Sequence, residues 1–263
     1  APTLTATEDD QVWLTYEARV GDPWDVFATK VGPDLDVSAP WAVSESGTAD
    51  ILHKTCPGND GIWVAWQSDR DGQYDIYVRQ VAASDSGPVM RVSQSPLNDW
   101  HPAAAVTSDG RLCVAWDAFN GDSNDVVVRF FTGGNWSEEL AVADGPQFGG
   151  RVDVAADRAG RVWLAWEEGS KNWGRAYRGI EADKVRDASG PLHRHREIRI
   201  AAIEPDNSWM VPVASMPMPS VEKAMQRDGR PPGVDRLGAF YERPRILVDR
   251  SGRLWVTYRH YFT

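Results

Sequence analysis

Asp117, Asp153, Glu167, Glu168 and His101 are side chains of the kind that move protons. Hydrolysis of a glycosidic bond needs two carboxyl groups, about 5–5.5 Å apart for retention or about 6.5–9.5 Å apart for inversion. His101 adds a group that titrates near neutrality and suits acid or base work, although a histidine followed by Pro102 serves structure as readily. No Gly-rich phosphate loop, Ser-His-Asp order or Cys nucleophile context accompanies them.

A second set has the chemistry of ligand recognition: Trp100, His101, Arg151, Glu167, Trp173, Arg245 and Arg259. Indoles outside core strands stack on sugar rings or cations, and Trp100 and Trp173 both fall in expected loops. The same residues have plainer uses. Indoles also wedge between packed units, and charges also pair with one another along a solvated channel. Asp69, Asp71, Asp75, Asp122 and Asp125 offer the hard oxygens that calcium takes, but the distal Glu of an EF-hand loop is missing. Hairpin turns rich in Asp and Gly account for them without metal, and calcium stays the lesser alternative. His53, His193, His195 and His260 have no zinc spacing, so no metal or other cofactor is expected.

What positions these groups is a repeat. QVWLTYE at Gln11–Glu17 recurs as GIWVAWQ at Gly61–Gln67, RLCVAWD at Arg111–Asp117 and RVWLAWE at Arg161–Glu167, a period of 50 residues. RLWVTYR at Arg253–Arg259 follows 92 residues after the fourth copy. A fixed period of this size marks supersecondary units that stack side by side. Each marker is apolar at odd and even positions alike, as a strand between two layers must be. A strand of smaller residues precedes it, joined by a tight turn such as Asp157-Arg158-Ala159-Gly160 or Asp249-Arg250-Ser251-Gly252. A third strand opens with an acidic residue, at Asp25, Asp75, Asp125 and, in the fourth copy, near Glu197. A fourth follows around Trp41, Trp136 or Trp209. Four short strands in each unit make a β-propeller blade.

The expected fold is therefore all-β, a propeller of about four and a half four-stranded antiparallel blades in one domain spanning 1–263. The blades fall near 1–47, 48–97, 98–147, 148–214 and an incomplete 243–263. Residues 215–242 form an inserted loop with at most a short helix at Val221–Arg227, and a second long loop covers Glu168–His195. In an up-and-down blade both insertions leave on one face, above one mouth of the central channel. Marker-strand ends (Glu17, Gln67, Asp117, Glu167, Arg259) and first-strand starts (Asp50, Trp100, His101, Arg151, Asp153, Arg243, Arg245) should ring that mouth.

The unit GIWVAWQSDRDGQYDIYVRQV resembles the repeats of TolB-like propellers, and the Asp-x-x-Gly-Arg-x-Trp turns resemble those of sialidase-like, BNR-type propellers. NDWHPAAAVTSDGRLCVAWD with EEGSKNWGRAYRG is similar to the N-terminal propeller of large exported bacterial multidomain proteins, which implies a secreted or periplasmic chain. No turn matches a strict Asp box, and Phe-Arg-Ile-Pro is absent, so sialidase catalytic residues do not carry over. The resemblance implies the fold over nearly the whole chain and leaves function open.

The formal net charge of −10 argues against nucleic acid as a partner. No apolar run is long enough to cross a bilayer, so membrane insertion is not expected. Cys56 and Cys113 read either as buried thiols or as a disulfide. Three functions compete: a module binding glycan or another polar ligand at the mouth, a glycoside hydrolase or lyase using the carboxylates there, and a scaffold for an adjacent domain of a longer protein. The last predicts an apolar patch on the incomplete fifth blade.

Overall fold

The structure, a computed structural model, describes residues 2–7, 11–82, 86–171, 196–210 and 239–262. Among these residues no helix occurs, and the regular elements are β-strands. The first sheet holds β1 (Thr3–Ala6), β2 (Val12–Arg19), β3 (Trp24–Val31) and β4 (Trp41–Ala42), in sequence order. The second repeats that order with β5 (Asp50–Pro57), β6 (Ile62–Ser68), β7 (Asp75–Val81) and β8 (Met90–Arg91). In the third, β9 (Asp99–Val106), β10 (Leu112–Phe119) and β11 (Asn124–Thr132) are followed by two short strands on β11, namely β12 (Asn135–Trp136) and β13 (Leu140–Ala143). The sequence suggests one continuous fourth strand there; a shift in register at Val126/Val127 accompanies the division.

The fourth sheet comprises β14 (Gln147–Ala156), β15 (Val162–Lys171), β16 (Arg196–Ile203) and β17 (Trp209–Met210). It continues through a single parallel bridge, Arg196 to Phe240, into β18 (Ala239–Val248) and β19 (Leu254–Phe262). The last two strands thus join the fourth sheet, where the sequence suggests an incomplete fifth unit. The helix considered for Val221–Arg227, and the bodies of both long insertions, lie outside the described residues. The ends that flank them do not. β16 and β18 start side by side, and the C-terminal end of β15 pairs with the start of β16 through Gly169 and Arg196.

The apolar pattern of the markers becomes face-to-face stacking. Val64 and Trp66 pack with Trp13, Val26 and Ala28 of the first sheet. Ala65, on the opposite face of the same strand, packs with Ile76, Val78, Val114 and Trp116 toward the third. Cys113, Ala115 and Val126 meet Val152, Val154, Leu164 and Trp166, and Ala165 meets Tyr241 and Ile246. Both faces of the middle sheets are thus out of water, which is why small residues suffice on first strands: Ala103, Ala104 and Ala105 let neighbouring layers approach. Cys56 and Cys113 are buried as free thiols, so the pairing left open by the sequence is not made. Burial pushes Cys113 up to about 12, and it raises Cys56 as well.

The turns between first and second strands show why Asp and Trp recur six residues apart. Asp157 accepts the Arg161 amide at 3.1 Å and the Trp163 indole N–H at 3.0 Å. Asp249 accepts the Arg253 amide at 3.0 Å and the Trp255 indole at 2.8 Å. In the third sheet both partners are replaced together, Thr107 standing for the Asp and Cys113 for the Trp. Thr107 still accepts the Arg111 amide, at 3.0 Å.

Candidate functional site

The first strand of every sheet contributes to one cavity. It has a volume of about 370 Å³ and is walled by Pro2 and Thr3, by Leu52, His53 and Lys54, by His101 and Pro102, by Arg151 and Val152, and by Arg243, Pro244 and Arg245, with Glu17 at its edge. A second cavity of about 460 Å³ shares Pro2, Thr3, Lys54 and Arg245 with it and adds Thr55, Ala104 and Asp153. These residues lie in short consecutive runs on β5, β9, β14 and β18, so both cavities are walled by first strands.

At the mouth a single backbone device recurs. Leu52, His101, Arg151 and Arg243 have φ of 56°, 50°, 51° and 52°, a left-handed conformation in residues that are not glycine. Each lies where its strand breaks register with the next: between Ile51 and Lys54, opposite Ala115/Asp117, between Gly150 and Asp153, and between Glu242 and Arg245. These are β-bulges, which re-aim a side chain at the cost of ladder hydrogen bonds. All four bulged residues line the first cavity. A left-handed non-glycine residue costs on the order of 1–2 kcal/mol. Strain of this kind persists only where the surroundings impose it, and it gathers at ligand clamps and active sites.

The surroundings that impose it are the polar ends of the marker strands. Glu17 accepts the His53 amide at 3.1 Å, Gln67 accepts the His101 amide at 3.2 Å, and Glu167 accepts the Arg243 amide at 2.6 Å. Each acceptor thus reaches across to the first strand of the next unit. Glu167 is fully buried and also meets Arg151 at 3.3 Å and Arg196 at 3.4 Å. Arg196 pairs with Glu242 at 2.7 Å, and Arg259 pairs with Glu242 as well. Such a network is costly to break, because removing one partner leaves a buried charge uncompensated.

Two histidine–carboxylate pairs stand in adjacent units. His53 Nδ1 lies 2.8 Å from Glu17 Oε1, with the imidazole wholly buried. His101 Nδ1 lies 2.8 Å from Asp117 Oδ2; here Asp117 is buried and the imidazole is 43% exposed. The second pair has the arrangement of an oriented base, a buried carboxylate fixing a partly exposed ring in the cavity wall. Burial disfavours ionisation of Glu17, but the hydrogen bonds from the His53 ring and amide outweigh it and hold the carboxyl at about 2. Asp153 is opposite in character. Burial raises it to about 7 against hydrogen bonds from the Ile246 and Val154 amides, while Arg245 lies 3.3 Å from it.

Of the residues singled out from the sequence, His101, Arg151 and Arg245 wall the first cavity and Asp153 and Arg245 the second. Asp117 and Glu167 stand behind that wall, holding His101, Arg151 and the Arg243 amide. Arg259 is in the same buried network through Glu242. Glu168 turns to Arg199, at 2.8 Å, away from the cavity wall. Trp100 is not in a loop. It is inside β9, opposite Asp117, with its ring against Phe119 at 6.1 Å, and it does not line either cavity. β9 runs on beyond the bulge at His101 to Asp99, where the sequence suggests a loop. Trp173 lies outside the described residues.

The acidic hairpin residues bond to protein groups. Asp75 pairs with Arg91 at 2.8 Å and accepts from Ser93, Asp71 accepts from Tyr77, and Asp125 accepts from Asn120. Among the described residues no group of three or more His, Cys, Asp or Glu is placed to share a metal. Lys54, Leu52 and Arg196 were missed as site residues. Positions 101, 151 and 243 are spaced like the marker strands, whereas Leu52 stands one residue off that spacing, so the repeat alone points to its neighbour Ile51.

No family model matches the sequence, and no curated protein matches it. Similarity is found among solved structures, at low identity. A protein of unknown function from Dyadobacter fermentans shares 10% identity over 98% of this chain and 74% of its own, with a TM-score of 0.55. The GH93 alpha-L-arabinofuranosidase of Fusarium graminearum, in complex with arabinobiose, shares 12% identity over 97% of this chain and 73% of its own, with a TM-score of 0.51. The Penicillium chrysogenum alpha-L-arabinanase shares 11% over 66% of this chain, with a TM-score of 0.46, and the match spans 62% of its length. With the sheet order and the shared cavity, the first two of these likenesses support an all-β, propeller-type fold.

Proposed function

We propose that this chain is a ligand-binding β-propeller module, with about four and a half blades of the BNR/TolB-like kind, in a secreted or periplasmic protein. Its ligand is a glycan or another polar molecule held at the channel mouth. The observation that carries the reading is the ring of left-handed bulges at Leu52, His101, Arg151 and Arg243, all opening on one cavity. Four strained residues at equivalent places are better explained by side chains aimed at a ligand than by folding alone, since a regular ladder would avoid the strain. The Fusarium graminearum protein is an arabinofuranosidase with arabinobiose, and carrying a sugar over from it is an analogy of fold.

Calorimetric titration of the chain against neutral and charged oligosaccharides tests the reading. Binding to at least one, weakened by Lys54→Ala or Arg243→Ala without loss of thermal stability, is expected. A panel with no heat of binding contradicts it.

A second reading is supported by the His101–Asp117 pair: a hydrolase or lyase acting on a glycosidic bond at the same mouth. His101 would take the proton, and Asp153, whose carboxyl burial raises to about 7, would supply one. Turnover of the bound sugar that disappears in Asp117→Asn, with binding retained, would favour this reading. A bound sugar that is never turned over leaves the binding module.

A further inference from the structure

The charge of the cavity runs against that of the molecule. The chain carries a formal net charge of −10, yet Lys54, Arg151, Arg243 and Arg245 wall the first cavity against one carboxylate, Glu17. Glu17 is held by the ring and amide of His53. Asp153, in the second cavity, is occupied by Arg245 and the Ile246 amide. Glu167 and Glu242 face Arg151 itself as well as Arg196 and Arg259, so Arg151 shares its charge with them. Among the described residues neither Lys54 nor Arg243 has a carboxylate within ion-pair distance, and Arg243 is exposed at the mouth on its bulge. The acids near the wall are therefore each held by protein groups, and Lys54 and Arg243 leave positive charge over inside a concave site where field lines concentrate.

From this we infer that the ligand is an acidic glycan, a sugar carrying a carboxylate such as a uronate, with Arg243, Arg151 and Lys54 contacting the acid group. The inference rests on the reading of the mouth as a glycan site and narrows its ligand class. Arginine suits a planar carboxylate through paired N–H donors, and Lys54 adds a point charge. His101, oriented by Asp117 on the same rim, is placed to meet a ring hydroxyl. Neutral pentose oligomers would leave this charge unused and would displace its water for no ionic return.

The test is calorimetric titration of the chain with tri-galacturonate, with its methyl ester, with xylotriose and with inorganic sulfate, at low and high salt. Tri-galacturonate should bind at least about tenfold more tightly than its ester, the ratio expected for one charge-assisted hydrogen bond, and added salt should weaken it. The double variant Lys54→Gln, Arg243→Gln should lose about tenfold in affinity with an unchanged melting temperature. Ester or xylotriose bound as tightly as the acid would overturn the charge assignment while leaving a glycan site standing. Sulfate bound as tightly as the acid would show a general oxyanion site and overturn the sugar acid. No binding to any of the four would remove both the acidic ligand and the site reading beneath it.

Discussion

At Arg243 a left-handed backbone and an exposed side chain occur together, so conformational strain can be measured there with little loss of packing. Arg243→Gly should match the native chain in stability or exceed it by up to about 1 kcal/mol, because glycine adopts this φ without a Cβ clash. Arg243→Val should lose about 1–3 kcal/mol, since a β-branched residue is an outlier in that region. Denaturant midpoints of the two variants decide it, and equal values would remove the strain argument. Asp99 offers a second single-residue test. It accepts the Trp116 indole at 3.1 Å while wholly buried, and burial raises its carboxyl to about 7 against hydrogen bonds from Ser93 and Trp116. The folded state then holds a proton that the unfolded chain releases near pH 4. Stability from this group is present at low pH and declines as pH rises from about 4 through about 7. Unfolding measured from pH 5 to 8 should show a shallower decline in Asp99→Asn, by on the order of 1–2 kcal/mol; parallel curves would contradict the assignment.

At the scale of elements, the second strands were legible in the sequence because a strand apolar on both faces has few other places to lie. Trp66 and Ala65 do face opposite neighbours. The Asp–Trp spacing of the turns was legible for a similar reason: Asp157 and Asp249 bond backbone and indole locally, within seven residues of chain. The site was less so. His101, Arg151, Arg245 and Asp153 could be placed at the mouth from strand ends alone, but Trp100 was misplaced. A bulge is a property of two strands in register, and a one-residue slip reverses which way every later side chain points. Asp117 and Glu167 look the same as ligand carboxylates in the sequence; only the contacts with His101 and the Arg243 amide show them as supports. Glu167→Ala should therefore behave as a break in a buried network joining β14, β15, β16 and β18, with a loss of about 3–5 kcal/mol. Chemical denaturation checks this, and a loss under 1 kcal/mol would mean that the cluster does not join the units.

For the molecule as a whole, stacked sheets turn a linear repeat into first strands that wall one cavity, so equivalent residues separated by tens of positions meet there. Leu247 and Trp255 are more than half exposed on the last two strands, two exposed apolar side chains that the scaffold reading would use. A scaffold alone does not account for four left-handed backbone positions at the mouth. The most direct test is amide chemical-shift mapping of the labelled chain during titration with tri-galacturonate. The account predicts saturable shifts concentrated at Leu52–Lys54, His101, Arg151 and Arg243–Arg245, with the outer strands unmoved. Shifts gathered instead on the outer strands or on the exposed face of β18 and β19, with the mouth silent, would contradict it.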